Sequence, residues 1–141
     1  MSDPDGMMID TTQHLRPTLL VVEDHPAMRA AIVTFLQGEF EVTAITNGQA
    51  ALETAARLMP DVMILDVALP MVDGTEVARR LKAQGSKAKI VFLSVSMDAR
   101  QITACRAAGG NAYVWKARMG TDLIPAIKDA MAGKAFVHRE D

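Results

Sequence analysis

The sequence lacks the features that mark secreted, membrane and nucleic-acid-binding proteins. It has one cysteine, Cys105, so it forms no internal disulfide, as is typical of proteins in reducing compartments. No apolar run reaches the roughly 18 residues that span a bilayer, and the first residues are acidic where a secretory signal is basic. A formal net charge of -2 offers no basic face for nucleic acid or an anionic membrane. We therefore expect a cytoplasmic location and no direct contact of this segment with membrane or nucleic acid.

Aromatic residues are also scarce, and the chain relies on short aliphatic segments instead. Half of its 141 residues are hydrophobic although 4% are aromatic, which suffices for the core of one ordinary domain. Residues 1–16 are polar and without period, so they predict a disordered leader. The domain is expected over residues 17–134, and residues 135–141 are expected to be a tail or the start of a linker. Cys105 is expected to be a partly buried helix residue.

The segment 61–74 reads DVMILDVALPMVDG and carries the candidate reactive residue. Four apolar residues separate Asp61 from Asp66, which is typical of a strand buried on both faces of a parallel sheet. The pairs at 69–70 and 73–74 then supply turn residues that cannot continue a central strand. Asp66 is therefore predicted at the carboxyl end of a buried strand, where open α/β sheets bind their ligands.

Strands and helices alternate along the whole chain. Apolar runs predict strands at 18–22, 62–65, 90–93 and 113–115, with a weaker β-favouring stretch at 40–45. Apolar residues at helical spacing predict helices at 26–36, 49–58, 75–83, 98–107 and 121–131. Five such strand and helix pairs indicate an α/β fold with a doubly wound, five-stranded parallel sheet and five flanking helices. The strand order that we expect is 2-1-3-4-5.

Polar residues stand where these predicted strands end. Glu23 and Asp24 follow the first strand, Asp66 the third, Ser94 the fourth and Lys116 the fifth. Because the first and third strands are neighbours in this order, the three carboxylates are expected to converge. Close carboxylates repel and require a compensating charge, and Mg²⁺ suits an all-oxygen site. The set fits phosphoryl transfer onto Asp66 as the nucleophile, with Mg²⁺ and Lys116 offsetting the charge of the phosphoryl oxygens.

These residues resemble a known family. Asp66 with its following turn, the acids Glu23 and Asp24, Ser94 and the segment 113–116 together look like the receiver domain of bacterial two-component response regulators. The resemblance covers about residues 18–133 and implies the CheY-like form of the flavodoxin-like fold. Residues 23–26 and 94–96 are most similar to receivers of the NarL/LuxR-type regulators, in which a DNA-binding domain follows the receiver.

The resemblance also implies a role for each residue of the site. Asp66 would accept a phosphoryl group from a sensor histidine kinase or a phosphotransfer protein. Mg²⁺ would be held by Glu23, Asp24, Asp66 and the backbone carbonyl of Ala68. The protein would then be no enzyme, beyond self-phosphorylation from phosphodonors that requires Mg²⁺ and slow dephosphorylation.

Three further residues would complete the switch. Ser94 and Lys116 would bind the phosphoryl oxygens, and Tyr113 would swing inward as the aromatic switch residue. Ser94 and Tyr113 together would change the surface of the fourth helix and fifth strand, and a homodimer on phosphorylation is a further implication. Ala68 and Ala117 depart from the family pattern, which often has a polar residue and a proline there.

Two other functions are compatible with parts of the pattern. A pseudo-receiver would keep the fold and act by phosphorylation-independent protein binding, but the intact charged set argues against it. An enzyme on the same fold would be a flavodoxin-like electron carrier or a phosphohydrolase with an aspartate nucleophile. The first needs a phosphate-binding loop where this chain has Glu23 and Asp24, and the second needs a further acid where it has His25-Pro26. Whether the chain acts alone or precedes a LuxR-type DNA-binding domain stays open.

Overall fold

The computed structural model describes residues 16–138, which form a parallel sheet between two layers of helices. Within this range the strands are β1 (Thr18–Val22), β2 (Glu41–Ile45), β3 (Val62–Asp66), β4 (Lys89–Ser94), β5 (Ala112–Trp115) and β6 (Val137–His138). The helices are α1 (Pro26–Leu36), α2 (Gly48–Leu58), α3 (Gly74–Ala83), α4 (Ala99–Ala107) and α5 (Met119–Met131), and a 3₁₀ turn covers Lys116–Arg118. Residues 1–15 of the expected leader lie outside the described residues. None of the helices in residues 16–138 is both long and apolar enough to cross a membrane.

The strand order is β2-β1-β3-β4-β5-β6, and every neighbouring pair is parallel. The predicted order 2-1-3-4-5 is confirmed, but the predicted count of five strands is wrong for residues 16–138. A sixth strand pairs with β5, where Val137 lies opposite Ala112 and His138 opposite Tyr113. It falls in the stretch 135–141 that was expected to be a tail or linker. Two residues are too few to show a period, so no strand pattern marks them in the sequence.

Apolar strand residues alternate between the two faces of the sheet. On β3, Val62 and Ile64 pack with α1 and α5, whereas Met63 and Leu65 pack with α2, α3 and α4. All five residues of β3 are buried, as expected for a central parallel strand with helices on both sides. Val22 of β1 lies opposite Leu65 of β3 in the register. The residues that follow these two positions therefore emerge together at the carboxyl edge of the sheet.

Most helices begin within one residue of the predicted position because polar side chains cap them. Asn47, Asp73 and Asp98 accept backbone N–H groups in the first turns of α2, α3 and α4. Helix α5 is the exception, since it begins at Met119 and not at the predicted Thr121. The 3₁₀ turn runs directly into it, and its N-cap residue makes no side-chain capping hydrogen bond. No capping pattern therefore marks the start of α5 in the sequence.

Cys105 lies on the buried face of α4 and is fully buried, so the expectation of partial burial is wrong. Burial raises the pKa of its thiol to about 12. The thiol therefore stays protonated at neutral pH and acts as a small apolar group in the core.

Candidate functional site

Three acidic side chains meet at the carboxyl edge of the sheet. Glu23 follows β1 directly and Asp66 ends β3, and the register of these neighbouring strands places both at the same edge. One carboxylate oxygen from each of Glu23, Asp24 and Asp66 lies within 4.8 Å of the others. Glu23 and Asp66 are buried, whereas Asp24 is exposed to solvent. The structure thus brings together the three acids that the strand order places side by side.

Lys116 is the cation that faces these acids. Its Nζ lies 2.9 Å from Glu23 Oε1 and 3.1 Å from Asp66 Oδ2, and the side chain is 11% exposed. Burial alone would lower the pKa of Lys116, but the close contact with the Glu23 carboxylate and the charge of Asp66 raise it above its ordinary value. Lys116 therefore stays charged. One ammonium group cannot balance three carboxylates, so the site retains negative charge that favours a further cation.

Asp66 is held in a defined orientation by both of its oxygens. Its Oδ1 accepts the backbone N–H of Ala68 at 3.1 Å, and its Oδ2 accepts a hydrogen bond from Lys116. Burial and the nearby charge of Glu23 raise the pKa of Asp66, and Lys116 and the Ala68 amide oppose that rise. The result is a buried carboxylate that points toward the charged edge of the sheet.

Glu23 leaves one buried oxygen with unused acceptor capacity. Its Oε2 accepts the backbone N–H of His25 at 3.1 Å. Its Oε1 contacts the ammonium of Lys116, but it has no hydrogen bond of regular geometry within the part of the chain that the structure describes. The Glu23 side chain is 1% exposed and lies next to two more carboxylates. Its Oε1 is therefore a suitable ligand for a small divalent cation. The donor set therefore fits Mg²⁺, and the role of the Ala68 carbonyl stays a prediction.

Ser94 and Tyr113 belong to one hydrogen-bonded group, because both hydroxyl groups contact Gln101. Ser94 ends β4 and is buried, and Tyr113 on β5 is 2% exposed, so its ring already lies inside. The Tyr113 hydroxyl donates toward the carbonyl of Ser96 at 2.5 Å and toward Oε1 of Gln101 at 2.7 Å. Burial raises the pKa of Tyr113, so the phenol keeps its proton at neutral pH.

A match to a protein-family model shows the family to which this chain belongs. Residues 19–128 match the family model described as the response regulator receiver domain. The chain belongs to this receiver family. The receiver domain is a signalling domain of two-component systems and not a classical enzyme.

Relatives with known roles are similar to this receiver over most of its length. The DNA-binding transcriptional activator EvgA of Escherichia coli is 31% identical over 119 residues, which cover 83% of this chain and 58% of EvgA. The nitrate/nitrite response regulator NarL of the same species is 28% identical over 120 residues, covering 83% of this chain and 56% of NarL. The chain thus spans less than three fifths of the length of these curated relatives.

A solved structure of a LuxR-family response regulator has a similar fold. A LuxR-family DNA-binding response regulator from Staphylococcus aureus superposes with a TM-score of 0.76 and 26% sequence identity. The match covers 82% of this chain and 98% of that chain. The predicted resemblance to receivers of the NarL/LuxR type is confirmed.

Two residues of this receiver site were not identified from the sequence. Gly74 was predicted only as a turn residue, but it starts α3 against the backbone of the phosphoacceptor candidate. A Cβ at Gly74 would collide with the carbonyl oxygen of Asp66 and would lie 2.9 Å from Val67 Cα. Gln101 was not singled out at all, because a glutamine within a short amphipathic helix carries no distinguishing pattern. Its contacts with Ser94 and Tyr113 appear only when α4 is packed on the sheet.

Proposed function

We propose that this receiver is a phosphoacceptor that is modified on Asp66. The observation that carries the proposal is the surroundings of the Asp66 carboxylate. It is buried at the end of a central strand, fixed by the Ala68 amide and Lys116, and opens toward the cluster of acids. The proposed donor is the phosphorylated histidine of a sensor histidine kinase or of a phosphotransfer protein.

The chemistry requires no separate general base. An ionised Asp66 oxygen attacks the phosphorus, the bond from phosphorus to the donor nitrogen breaks, and an acyl phosphate forms. Lys116 stays within reach of the phosphoryl oxygens because its ammonium already contacts Asp66 at 3.1 Å. Its positive charge offsets the negative charge that the phosphoryl group brings into a mostly buried site.

Glu23, Asp24 and Asp66 would hold Mg²⁺, together with the predicted Ala68 carbonyl. When bound, the ion would supply positive charge next to the phosphoryl oxygens. Glu23 would contribute the buried Oε1 described above, and the exposed Asp24 leaves one side of the site open to water. An open side agrees with the preference of Mg²⁺ for keeping several water ligands.

The modification would be read by Ser94, Tyr113 and the surface of α4 and β5. Ser94 would donate its hydroxyl proton to a phosphoryl oxygen, and Tyr113 would couple that change to α4. A homodimer formed through phosphorylation and a cytoplasmic location also stay predictions. A pseudo-receiver that binds partners without phosphorylation is less favoured, because it has no need for the contacts between Lys116 and the two buried acids.

The proposal is tested by the intact mass of the full chain after incubation with Mg²⁺ and acetyl phosphate. We expect a gain of one phosphoryl group that requires Mg²⁺ and is absent from Asp66→Asn. Asp61→Asn is the matched control, since Asp61 lies before the opposite end of the same strand and hydrogen-bonds Thr18. It should retain the gain. Absence of a phosphoryl group from the folded wild-type chain contradicts the proposal and favours the pseudo-receiver.

A further inference from the structure

Gln101 on α4 contacts both of the residues that are proposed to read the phosphoryl group. Its Oε1 lies 2.6 Å from the Ser94 hydroxyl oxygen and 2.7 Å from the Tyr113 hydroxyl oxygen. The Tyr113 hydroxyl lies 2.5 Å from the backbone carbonyl oxygen of Ser96. Four oxygens therefore form a hydrogen-bonded series. It runs from the Ser94 hydroxyl at the end of β4, through Gln101 Oε1 and the Tyr113 hydroxyl, to the Ser96 carbonyl in the loop between β4 and α4.

The hydroxyl groups of this hydrogen-bonded series can donate only two protons, one from Ser94 and one from Tyr113. Each hydroxyl carries one proton. The Ser94 proton is donated to Gln101 Oε1, and the Tyr113 proton is shared between Gln101 Oε1 and the Ser96 carbonyl. Ser94 Oγ also accepts the Ser96 N–H at 3.0 Å, which supplies no second proton for donation. Ser94 therefore cannot donate to a phosphoryl oxygen and to Gln101 at the same time.

We propose that Gln101 is a positioning residue that transmits phosphorylation from Ser94 to Tyr113 by an exchange of hydrogen bonds. This inference rests on the proposed function, since it begins when a phosphoryl group on Asp66 takes the Ser94 proton as a hydrogen bond. Gln101 Oε1 has then lost one donor, and the Tyr113 hydroxyl turns fully toward it. The Ser96 carbonyl loses its donor in turn. No covalent bond changes and both protons stay on their own oxygens.

The loop that is released connects the site to the protein surface. Residues 95–98 join β4 to α4, and two side chains of β5 bond to their carbonyls. One is the Tyr113 bond to Ser96, and the other is the Trp115 Nε1–H bond to the Val95 carbonyl at 3.1 Å. Val95 is 74% exposed. Loss of the Tyr113 bond frees the loop to move this apolar side chain, which changes the surface available to a partner.

Tyr113 itself provides the probe for a test. The sequence contains one tyrosine, so tyrosine labelled with ¹³C gives a ring signal from Tyr113 alone. The full chain is observed with Mg²⁺ before and after addition of excess acetyl phosphate, and intact mass gives the phosphorylated fraction of the same sample. The change in the Tyr113 signal is divided by this fraction, so that differences in phosphorylation between variants do not affect it.

Three variants separate the acceptor role of Gln101 from its packing. Gln101→Met keeps the length of the side chain and removes the acceptor, and it should reduce the normalised Tyr113 change at least about threefold. Gln101→Glu keeps an acceptor at the same reach and should retain the change. Arg100→Met is the matched control on the same helix, because Arg100 is 93% exposed and pairs with Asp98, and it should also retain the change. If Gln101→Met does not fold, Gln101→Ala replaces it, since alanine is the best helix former.

The outcomes distinguish this inference from the proposed function. An undiminished Tyr113 change in Gln101→Met, or a lost one in Gln101→Glu, overturns the exchange of hydrogen bonds. A wild-type chain that is phosphorylated without any change at Tyr113 overturns it as well. A wild-type chain that gains no phosphoryl group refutes the proposed function first, and with it the step from which the exchange begins.

Discussion

Replacement of Asp66 by asparagine should stabilise the protein in the absence of Mg²⁺. The change keeps the shape of the side chain and the acceptor for the Ala68 amide, but it removes a buried charge. At an effective dielectric constant of about 20, attraction to Lys116 at 3.1 Å amounts to about 5 kcal/mol. Repulsion from Glu23 within 4.8 Å amounts to about 3.5 kcal/mol, whereas Asp24 is exposed and solvent screens its charge. The desolvation of Asp66, which is the largest cause of its raised pKa, and the repulsion from Glu23 together exceed the attraction to Lys116.

We therefore expect Asp66→Asn to raise the free energy of unfolding by about 1 to 2 kcal/mol at neutral pH. Urea denaturation with a chelator present measures this difference directly. Mg²⁺ should reduce or reverse this difference, because an ion that binds only the native wild-type site stabilises that protein increasingly as the ion concentration exceeds its Kd. Asp73→Asn is the control on the neighbouring loop. The hydrogen bond from Thr75 lowers the pKa of Asp73, so its neutralisation should bring no gain.

The difference in the free energy of unfolding between Asp66→Asn and the wild type should also depend on pH, and its direction follows from the pKa of Asp66. The pKa of Asp66 is raised above its ordinary value of 3.8, so the folded protein binds this proton more readily than the unfolded chain. The penalty of the buried charge is therefore relieved as the pH falls through the folded pKa, and it returns as the pH rises. The advantage of Asp66→Asn should shrink in acid. A variant that is less stable than wild type in chelator at neutral pH refutes this electrostatic reasoning.

Three further predictions concern the same edge of the sheet. Lys116→Met leaves two buried carboxylates unpaired, so it should lower the free energy of unfolding by about 3 kcal/mol in chelator, with partial recovery in Mg²⁺; an unchanged denaturation midpoint contradicts the pairing. Gly74→Ala should lower the free energy of unfolding by about 1–3 kcal/mol, because the new Cβ meets the backbone of Asp66. An unchanged free energy of unfolding in urea denaturation contradicts this close approach. Ala68→Asn combined with Ser96→Gln should speed loss of the phosphoryl group by about tenfold, since these side chains can hold an attacking water; an unchanged decay of the phosphorylated mass contradicts this.

The central sheet could be predicted because its strands are short, aliphatic and bounded by strong turn residues. The strand at 62–66 is one example, since its apolar run admits no amphipathic alternative of that length. The residues of the site followed from the same reasoning, because parallel strands all end at one edge and Asp66 and Lys116 each stand at such an end. Chain topology therefore brings four separated positions, Glu23, Asp24, Asp66 and Lys116, into one cluster.

The features that could not be predicted depend on tertiary contacts. The strand Val137–His138 owes its existence to pairing with β5, since two residues have no periodicity of their own. Helix α5 begins without a capping side chain, so nothing in the local sequence marks Met119. Gln101 is one polar residue among several on α4, and its position between Ser94 and Tyr113 is a product of packing.

The position of the phosphoryl group on the wild-type chain tests the central claim most directly. Reduction of an aspartyl phosphate by borohydride converts the aspartate to homoserine, which peptide mass mapping locates. After incubation with Mg²⁺ and acetyl phosphate, the proposed function predicts homoserine at position 66 and at no other carboxylate, with none formed in chelator. Homoserine at Asp24 or Asp61, or its absence from a folded chain exposed to the donor, would contradict the assignment of Asp66 as the phosphoacceptor.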